Sequence, residues 1–224
     1  MTDGDPGFQP TAAGPPFRVA LTFDAEHPDR RHRPGVTEGL LDVLAGEGVT
    51  STWFLQGRWV EAEPDLARRV VTDGHLVGNH SFYHARLPLL TDDGLATDIA
   101  DAERAIRDIA GVDPRPWFRC PFSAGSDDPR VLGVIDALGY RDIGADVVLE
   151  DWEPSRTGAA MVADALRLTP AVGDGAVILF HGWPPGTLDA LPGLIRGLAE
   201  RGATFVRIDA LERFTATTAP SVAR

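Results

Sequence analysis

Arg18-Val19-Ala20-Leu21-Thr22-Phe23-Asp24-Ala25-Glu26 decides how this chain is read. It is an apolar, β-prone run that ends in acid. Side chains of an extended strand alternate with period two, so Asp24 and Glu26 can point to the same side. Working outward, similar runs give strand candidates at Arg18–Asp24, Thr50–Leu55, His75–Gly78, Pro116–Arg119, Tyr140–Ala145, Ala176–His181 and Ala203–Ile208. Helical patterns lie between them, near Val36–Gly46, Pro64–Thr72, Asp92–Ile109, Pro129–Leu138, Gly158–Leu168 and Leu188–Glu200. In the third of these, Leu95, Ile99, Ala102, Ile106 and Ile109 keep a three-to-four spacing. Pro64 and Pro129 suit first helical turns, Asp128 suits an N-cap, and Gly74, Gly139 and Gly202 suit helix exits. Repeated strand–helix units imply a parallel α/β sheet. Seven of them fit an irregular barrel better than an open doubly wound sheet, although spacing alone does not separate the two.

The chain has 224 residues, 43% of them apolar, enough for one domain with a sizeable core. No run of eighteen apolar residues occurs, so no transmembrane helix is expected. Residues 1–16 are rich in Gly, Pro and small polar types and lack the basic start and apolar stretch of a secretory signal. They are expected to be a flexible tail, followed by a domain over 17–214 and a frayed tail over 215–224. A cytoplasmic location is the matching expectation. The net charge of −12 argues against nucleic acid or an anionic membrane surface as partner. Cys120 is the single cysteine, so no internal disulfide can form, in keeping with a reducing compartment.

On a parallel barrel, chemistry collects where strands end, and the polar residues fall there. Asp24 and Glu26 follow the first candidate strand, and His80 and His84 follow the third. Arg119 closes the fourth, Asp151 follows the fifth, and His181 closes the sixth. Two histidines four apart share one face if the segment is a helical turn; otherwise they are polar loop residues. One carboxylate and two imidazoles can hold a divalent metal while the second carboxylate serves as a base, which outlines a hydrolytic site. Burying both acids without a cation would be costly. Arg119 would keep Asp24 ionised and oriented, or form a purely structural ion pair with it. Cys120 reads as a small buried thiol rather than a nucleophile. His181 is either a satisfied core histidine or a general acid for a leaving amine, with Asp151 holding its imidazole protonated. Trp152 and Trp183 are either core residues or an apolar wall for a ring-shaped substrate.

In this order the motifs resemble those of the polysaccharide deacetylase family, the NodB-homology domains. The resemblance rests on Thr22-Phe23-Asp24-Ala25-Glu26, His80-Ser81-Phe82-Tyr83-His84, Arg119-Cys120-Pro121-Phe122, Asp151-Trp152 and Leu179-Phe180-His181, and spans Phe17 to Phe214. It implies a distorted (β/α) barrel of seven or eight parallel strands and a metal-dependent amide hydrolase that removes N-acetyl groups from amino sugars. It further implies Asp24 as general base, His80 and His84 as metal ligands, and Arg119 as the tether of Asp24. The Phe122 backbone N–H would join the oxyanion site, Asp151 would tune the general acid His181, and Leu179 would line the acyl pocket. The family's first motif usually carries two adjacent acids, the second of them a ligand. Ala25 stands there in this chain. A minority of relatives shift the ligand one residue on, which makes Glu26 the third ligand, with His27 or Asp29 as fallbacks. Gly182 is a second departure, at a position where an acid is common.

Nitrogen and carboxylate ligands point to Zn²⁺, with Co²⁺ or Ni²⁺ as substitutes, and the resemblance implies a small-molecule or oligosaccharide N-acyl substrate. Two rivals differ in chemistry. One keeps the scaffold and opens cyclic ureides or imides. The other, motivated by Ala25, is a non-catalytic carbohydrate-binding module.

Overall fold

Phe17–Ala25 (β1) is the axis of the molecule in the computed structural model, which describes residues 16–29 and 33–215. From Val19 onward every residue of β1 is buried, as expected of a parallel strand covered on both faces. Val19, Leu21, Phe23 and Ala25 pack into the apolar layer beneath the surrounding helices. Ala20 packs into a second cluster with Phe54, Trp117, Ile143 and Val177, within the curl of the sheet. Strand alternation puts Thr22 and Asp24 on that inner side and Ala25 on the outer one.

The remaining strands are β2 (Thr52–Leu55), β3 (Leu76–Asn79), β4 (Trp117–Phe118), β5 (Arg141–Asp142), β6 (Val147–Val148), β7 (Ala176–His181) and β8 (Ala203–Phe205). All pairings are parallel, in the order β5-β4-β3-β2-β1-β7-β6. β8 pairs with the start of β1, Phe17↔Ala203 to Val19↔Phe205, below the point where β2 takes over that edge at Thr22. Among the described residues no ladder joins β5 to β6, so the barrel is curled rather than closed.

Helices α1 (Val36–Gly46), α2 (Gly57–Ala62), α3 (Pro64–Thr72), α4 (Asp92–Ala110), α5 (Pro129–Ala137), α6 (Gly158–Val172), α7 (Pro185–Ala199) and α8 (Glu212–Thr215) complete the fold. Their limits follow local chemistry. Thr91 caps α4 by accepting from Gly94 N–H, and Gly111 ends it in the left-handed region at φ 77°. Asp128 caps α5 ahead of Pro129.

Several expectations change. Two strand candidates shrink to the residue pairs of β4 and β5. The unforeseen β6 pairs with β7, so Asp151 follows the sixth strand and His181 closes the seventh. Asp24 lies inside β1 rather than after it. α6 runs on past Pro170, which lacks only one helical N–H, and stops at Gly173. The tails expected over 1–16 and 215–224 lie outside the described residues, apart from Pro16 and Thr215, the last residue of α8. Among the described residues no helix is long and apolar enough to cross a membrane.

Gly78 in β3 shows how the sheet prepares the site. A Cβ there would meet the buried Phe54 ring at 2.6 Å and Trp117 Cβ at 3.1 Å. That ring in turn lies beneath the Arg119 guanidinium, 4.2 Å from its centroid. Gly78→Ala is therefore expected to overpack the inner cluster and lower stability by about 1–3 kcal/mol. The urea midpoint reads the loss; an unchanged midpoint would mean that the Phe54 ring yields freely.

Candidate active site

The strand ends converge on a cleft of about 480 Å³. Asp24 is in register with His181 on β7 and with Phe54 on β2, so neighbouring strands deliver an acid and an imidazole at one level. Of the residues expected at the site, Asp24, Glu26, His80, His84, Arg119, Phe122, Trp152, Leu179, His181 and Trp183 line the cleft. Asp151 lies behind His181, its side chain fully buried. Ala25 points the other way, into the apolar layer, which is why it can contribute nothing to this cavity.

Arg119 spans the floor. Its Nη1 donates to Asp24 Oδ1 at 2.8 Å and its Nε to the Ile143 carbonyl at 2.9 Å. Asp24 Oδ2 faces His80 Nε2 at 3.6 Å. Both members of the Arg119–Asp24 pair are buried, so the charges compensate each other away from water.

Glu26 sits among imidazoles. Its Oε2 contacts His84 Nε2 directly and lies 3.4 Å from His80 Nε2. Yet this buried oxygen has no partner of hydrogen-bond geometry. One donor atom from each of Glu26, His80 and His84 lies within 4.8 Å of the others, so the three converge on a common point, as ligands of a cation do. His80 Nδ1 is 2.9 Å from the Arg119 carbonyl, which makes Nδ1 the protonated nitrogen and leaves a lone pair on Nε2. Burial would raise the Glu26 carboxyl, but contacts with His27, His80 and His84 hold it far below the usual carboxylate range. Burial likewise works against a charge on His80, but Asp24 and Glu26 outweigh it and raise that imidazole. Burial keeps His84 below its ordinary value. Glu26 is thus held as an ionised carboxylate that faces two imidazoles.

His181 is engaged on its far side. Its Nδ1 is 2.7 Å from Asp151 Oδ1, and its backbone N–H donates to Oδ2 at 2.7 Å. Thr187 on α7 donates to the same Oδ2 at 2.6 Å. Burial opposes protonation of His181, but the Asp151 hydrogen bond and charge, with Glu26 and Asp24 beyond, push its pKa up to about 9. Its Nε2 faces the cleft, 3.8 Å from Glu26 Oε1. The Trp152 and Trp183 rings flank it, at 5.2 and 6.0 Å between centroids.

The loops carrying these groups are held in unusual backbone. Among the described residues, six non-glycine residues have φ in the left-handed region: His27, Ser81, His84, Phe122, Ser123 and Glu150. All belong to strand-end loops at or beside the cleft, where such strain is kept because the surroundings impose it. His80 and His84 do not share a helical turn, contrary to one sequence reading. Asn79 Oδ1 accepts from Ser81 N–H, Ser81 Oγ from His84 N–H, and buried Asp98 from Tyr83 N–H. These bonds fold the segment into an irregular bend. Phe122 lines the cleft with a half-exposed ring, stacked edge-on against His84 at 4.4 Å. Gly182 extends the ladder, donating to the Asp24 carbonyl, and a Cβ there would meet Trp53 at 3.3 Å.

Of the fallback ligands, Asp29 pairs with Arg58 at 2.7 Å away from the cleft. His27 does reach it, but onto Glu26, at 3.0 Å between His27 Nε2 and Glu26 Oε1. Trp183 also reaches Glu26, its indole Nε1 donating to Glu26 Oε1 at 3.3 Å. Thr187 and Gln56, which accepts from His27 N–H at 2.9 Å, carry no local spacing that marks them in the sequence.

Comparison with known proteins extends this picture. The sequence model of the polysaccharide deacetylase family matches residues 11–143, more than half of the chain and its first five strands. The chain is 30% identical over 194 residues to the peptidoglycan-N-acetylmuramic acid deacetylase PdaA of Bacillus subtilis (strain 168), covering 86% of this chain and 70% of that one. It is similar to the family 4 carbohydrate esterase of Streptomyces lividans, solved with acetate, at a TM-score of 0.74 and 31% identity over 84% and 91% of the two chains. It is also similar to BA3943 of Bacillus anthracis, a CE4 family pseudoenzyme, at a TM-score of 0.77 and 25% identity over 88% and 66%. Membership and activity are therefore separate questions, the second decided by side chains. On the first, sequence and fold agree over most of the chain, which belongs to the polysaccharide deacetylase family.

Proposed function

We propose that the chain is a metal-dependent N-deacetylase that hydrolyses the N-acetyl group of an amino sugar or small glycoconjugate and releases acetate. The observation that carries this reading is the convergence of Glu26, His80 and His84, with Glu26 Oε2 buried and lacking a hydrogen bond, between Asp24 and the His181–Asp151 pair. Two imidazoles and a carboxylate suit Zn²⁺, with Co²⁺ or Ni²⁺ able to substitute. Bound there, a divalent cation supplies Lewis acidity, polarising an acyl oxygen and making water more acidic.

The chain's own groups divide the proton traffic. Arg119 engages Asp24 Oδ1, so Oδ2 is the oxygen left to take a proton from the attacking water. Asp151 engages His181 Nδ1, so Nε2 is the atom that hands a proton to the departing amine. The Phe122 backbone N–H serves as a donor to the oxyanion. Leu179 and Trp152 supply the apolar wall against which the acyl group and sugar ring lie. A relative named for deacetylating peptidoglycan N-acetylmuramic acid supports an N-acetylated amino sugar as the substrate class. A binding module would not need a base, a tethering arginine and a carboxylate-held histidine together.

The test is acetate release from N-acetylated chito-oligosaccharides by protein purified without added metal. About one zinc per chain is expected, with turnover lost on chelation and restored by Zn²⁺. A protein that takes up no metal even after reconstitution would rule the reading out.

A further inference from the structure

Glu26 reaches the histidine pair with a side chain one methylene longer than aspartate, and so has more rotamer freedom to lose in holding one carboxylate oxygen in place. The surroundings restrict it from one side. Oε1 takes contacts from His27 Nε2 at 3.0 Å and Trp183 Nε1 at 3.3 Å. Oε2, which has no hydrogen bond of its own, faces His80 and His84. His27 is itself built into position. Its backbone is left-handed at φ 59°, and its N–H is held by the buried side-chain carbonyl of Gln56 at 2.9 Å. Gln56 N–H in turn donates to the Ala25 carbonyl at 3.0 Å. This turn brings the His27 ring back over the site, edge-on to His84 at 4.6 Å and to Trp183 at 6.4 Å.

We propose that His27 and Trp183 are positioning residues that clamp Glu26 Oε1, so that Oε2 is presented to the cation as a single fixed donor. The proposal rests on the reading of Glu26, His80 and His84 as a metal site. It explains how a chain with Ala25 on the outer face of β1 keeps a third ligand: the ligand moves to position 26, and two donors from separate loops take up the added reach. Neither His27 nor Trp183 touches the reacting atoms in this scheme.

The experiment is competition for Zn²⁺ between metal-stripped protein and a chromophoric chelator, for wild type, Glu26→Ala, His27→Ala, His27→Gln and Trp183→Phe. Glu26→Ala is expected to lose measurable binding. His27→Ala and Trp183→Phe are each expected to weaken Zn²⁺ by about 10- to 100-fold, the usual effect of removing an outer partner of a ligand. His27→Gln, whose amide nitrogen falls near the position of the imidazole Nε2, is expected to recover most of the affinity. Trp183→Phe and His27→Gln keep shape, and their thermal melts check that weakened binding is not misfolding. Wild-type affinity in both His27→Ala and Trp183→Phe, with Glu26→Ala still defective, would overturn the clamp and leave the metal site standing. A His27→Gln as defective as Glu26→Ala would make His27 a ligand, which also overturns it. Wild-type affinity in Glu26→Ala would remove the metal reading and the clamp with it.

Discussion

Asp24→Asn is expected to lower kcat for acetate release by about 10²- to 10⁴-fold, the range for losing a positioned general base. Zn²⁺ affinity should stay near wild type. Asparagine keeps the outline of the side chain and one acceptor for Arg119 Nη1, so the floor of the cleft survives. What disappears is the anionic oxygen that takes the proton. Asp24→Ala makes the contrast. It leaves the buried Arg119 cation without its carboxylate, against the Ile143 carbonyl and the Phe54 ring. Breaking a buried pair on one side destabilises by about 3–5 kcal/mol, so the alanine variant should lose fold stability along with turnover. Steady-state kinetics, zinc competition and urea unfolding on the two variants separate the roles. An Asn variant with wild-type kcat would remove Asp24 from the role of base.

The parts of this site that were legible in sequence are those fixed by strand periodicity. Asp24 and Glu26 had to share a side because β1 is extended and buried through Ala25, and the same alternation turns Ala25 outward. Helices α1 and α3 keep the limits read from their patterns; α3 opens on Pro64 in its first turn and is followed by left-handed Gly74, signals that are local chemistry. Elements only two residues long carry no period to read, so no pattern announces β6, and Asp151 follows the sixth strand rather than the fifth. The His80–His84 spacing leaves a helical turn and a polar loop both open; hydrogen bonds to the side chains of Asn79, Ser81 and Asp98 fold the segment into a bend. The convergence of His27 and Trp183 on Glu26 joins residues up to 157 positions apart and depends on a left-handed turn held by Gln56. No local pattern encodes such a meeting, because it arises only when the strands are assembled. His27 was visible as an imidazole near the right place, but its partner could not be read.

Loss of His181 is expected to cost a comparable 10²- to 10⁴-fold in kcat, about what a positioned acid contributes, and the pH profile identifies the group. Asp151 overcomes the effect of burial and, with the Glu26 and Asp24 charges, pushes the His181 pKa up to about 9. A general acid works only while it holds its proton, so on the alkaline side of the profile kcat should fall as pH rises through the pKa of His181. A cation on Glu26 cancels part of the anionic field, whereas the 2.7 Å Asp151 contact persists. The alkaline limb of the loaded enzyme should therefore lie below about 9. Asp151→Asn removes the charge and leaves burial in place, so the limb should move down, with kcat depressed more at pH 8 than at pH 6. His181→Ala should remove the limb altogether. Stability follows the same sign: a histidine with a raised folded-state pKa stabilises fully below 6.5, and that contribution is lost as pH climbs toward about 9. In metal-stripped protein, the stability gap between wild type and His181→Ala should thus narrow over this interval. A limb unmoved by Asp151→Asn would mean that another group donates the proton, and a gap that widens with pH would mean that His181 is held neutral in the fold.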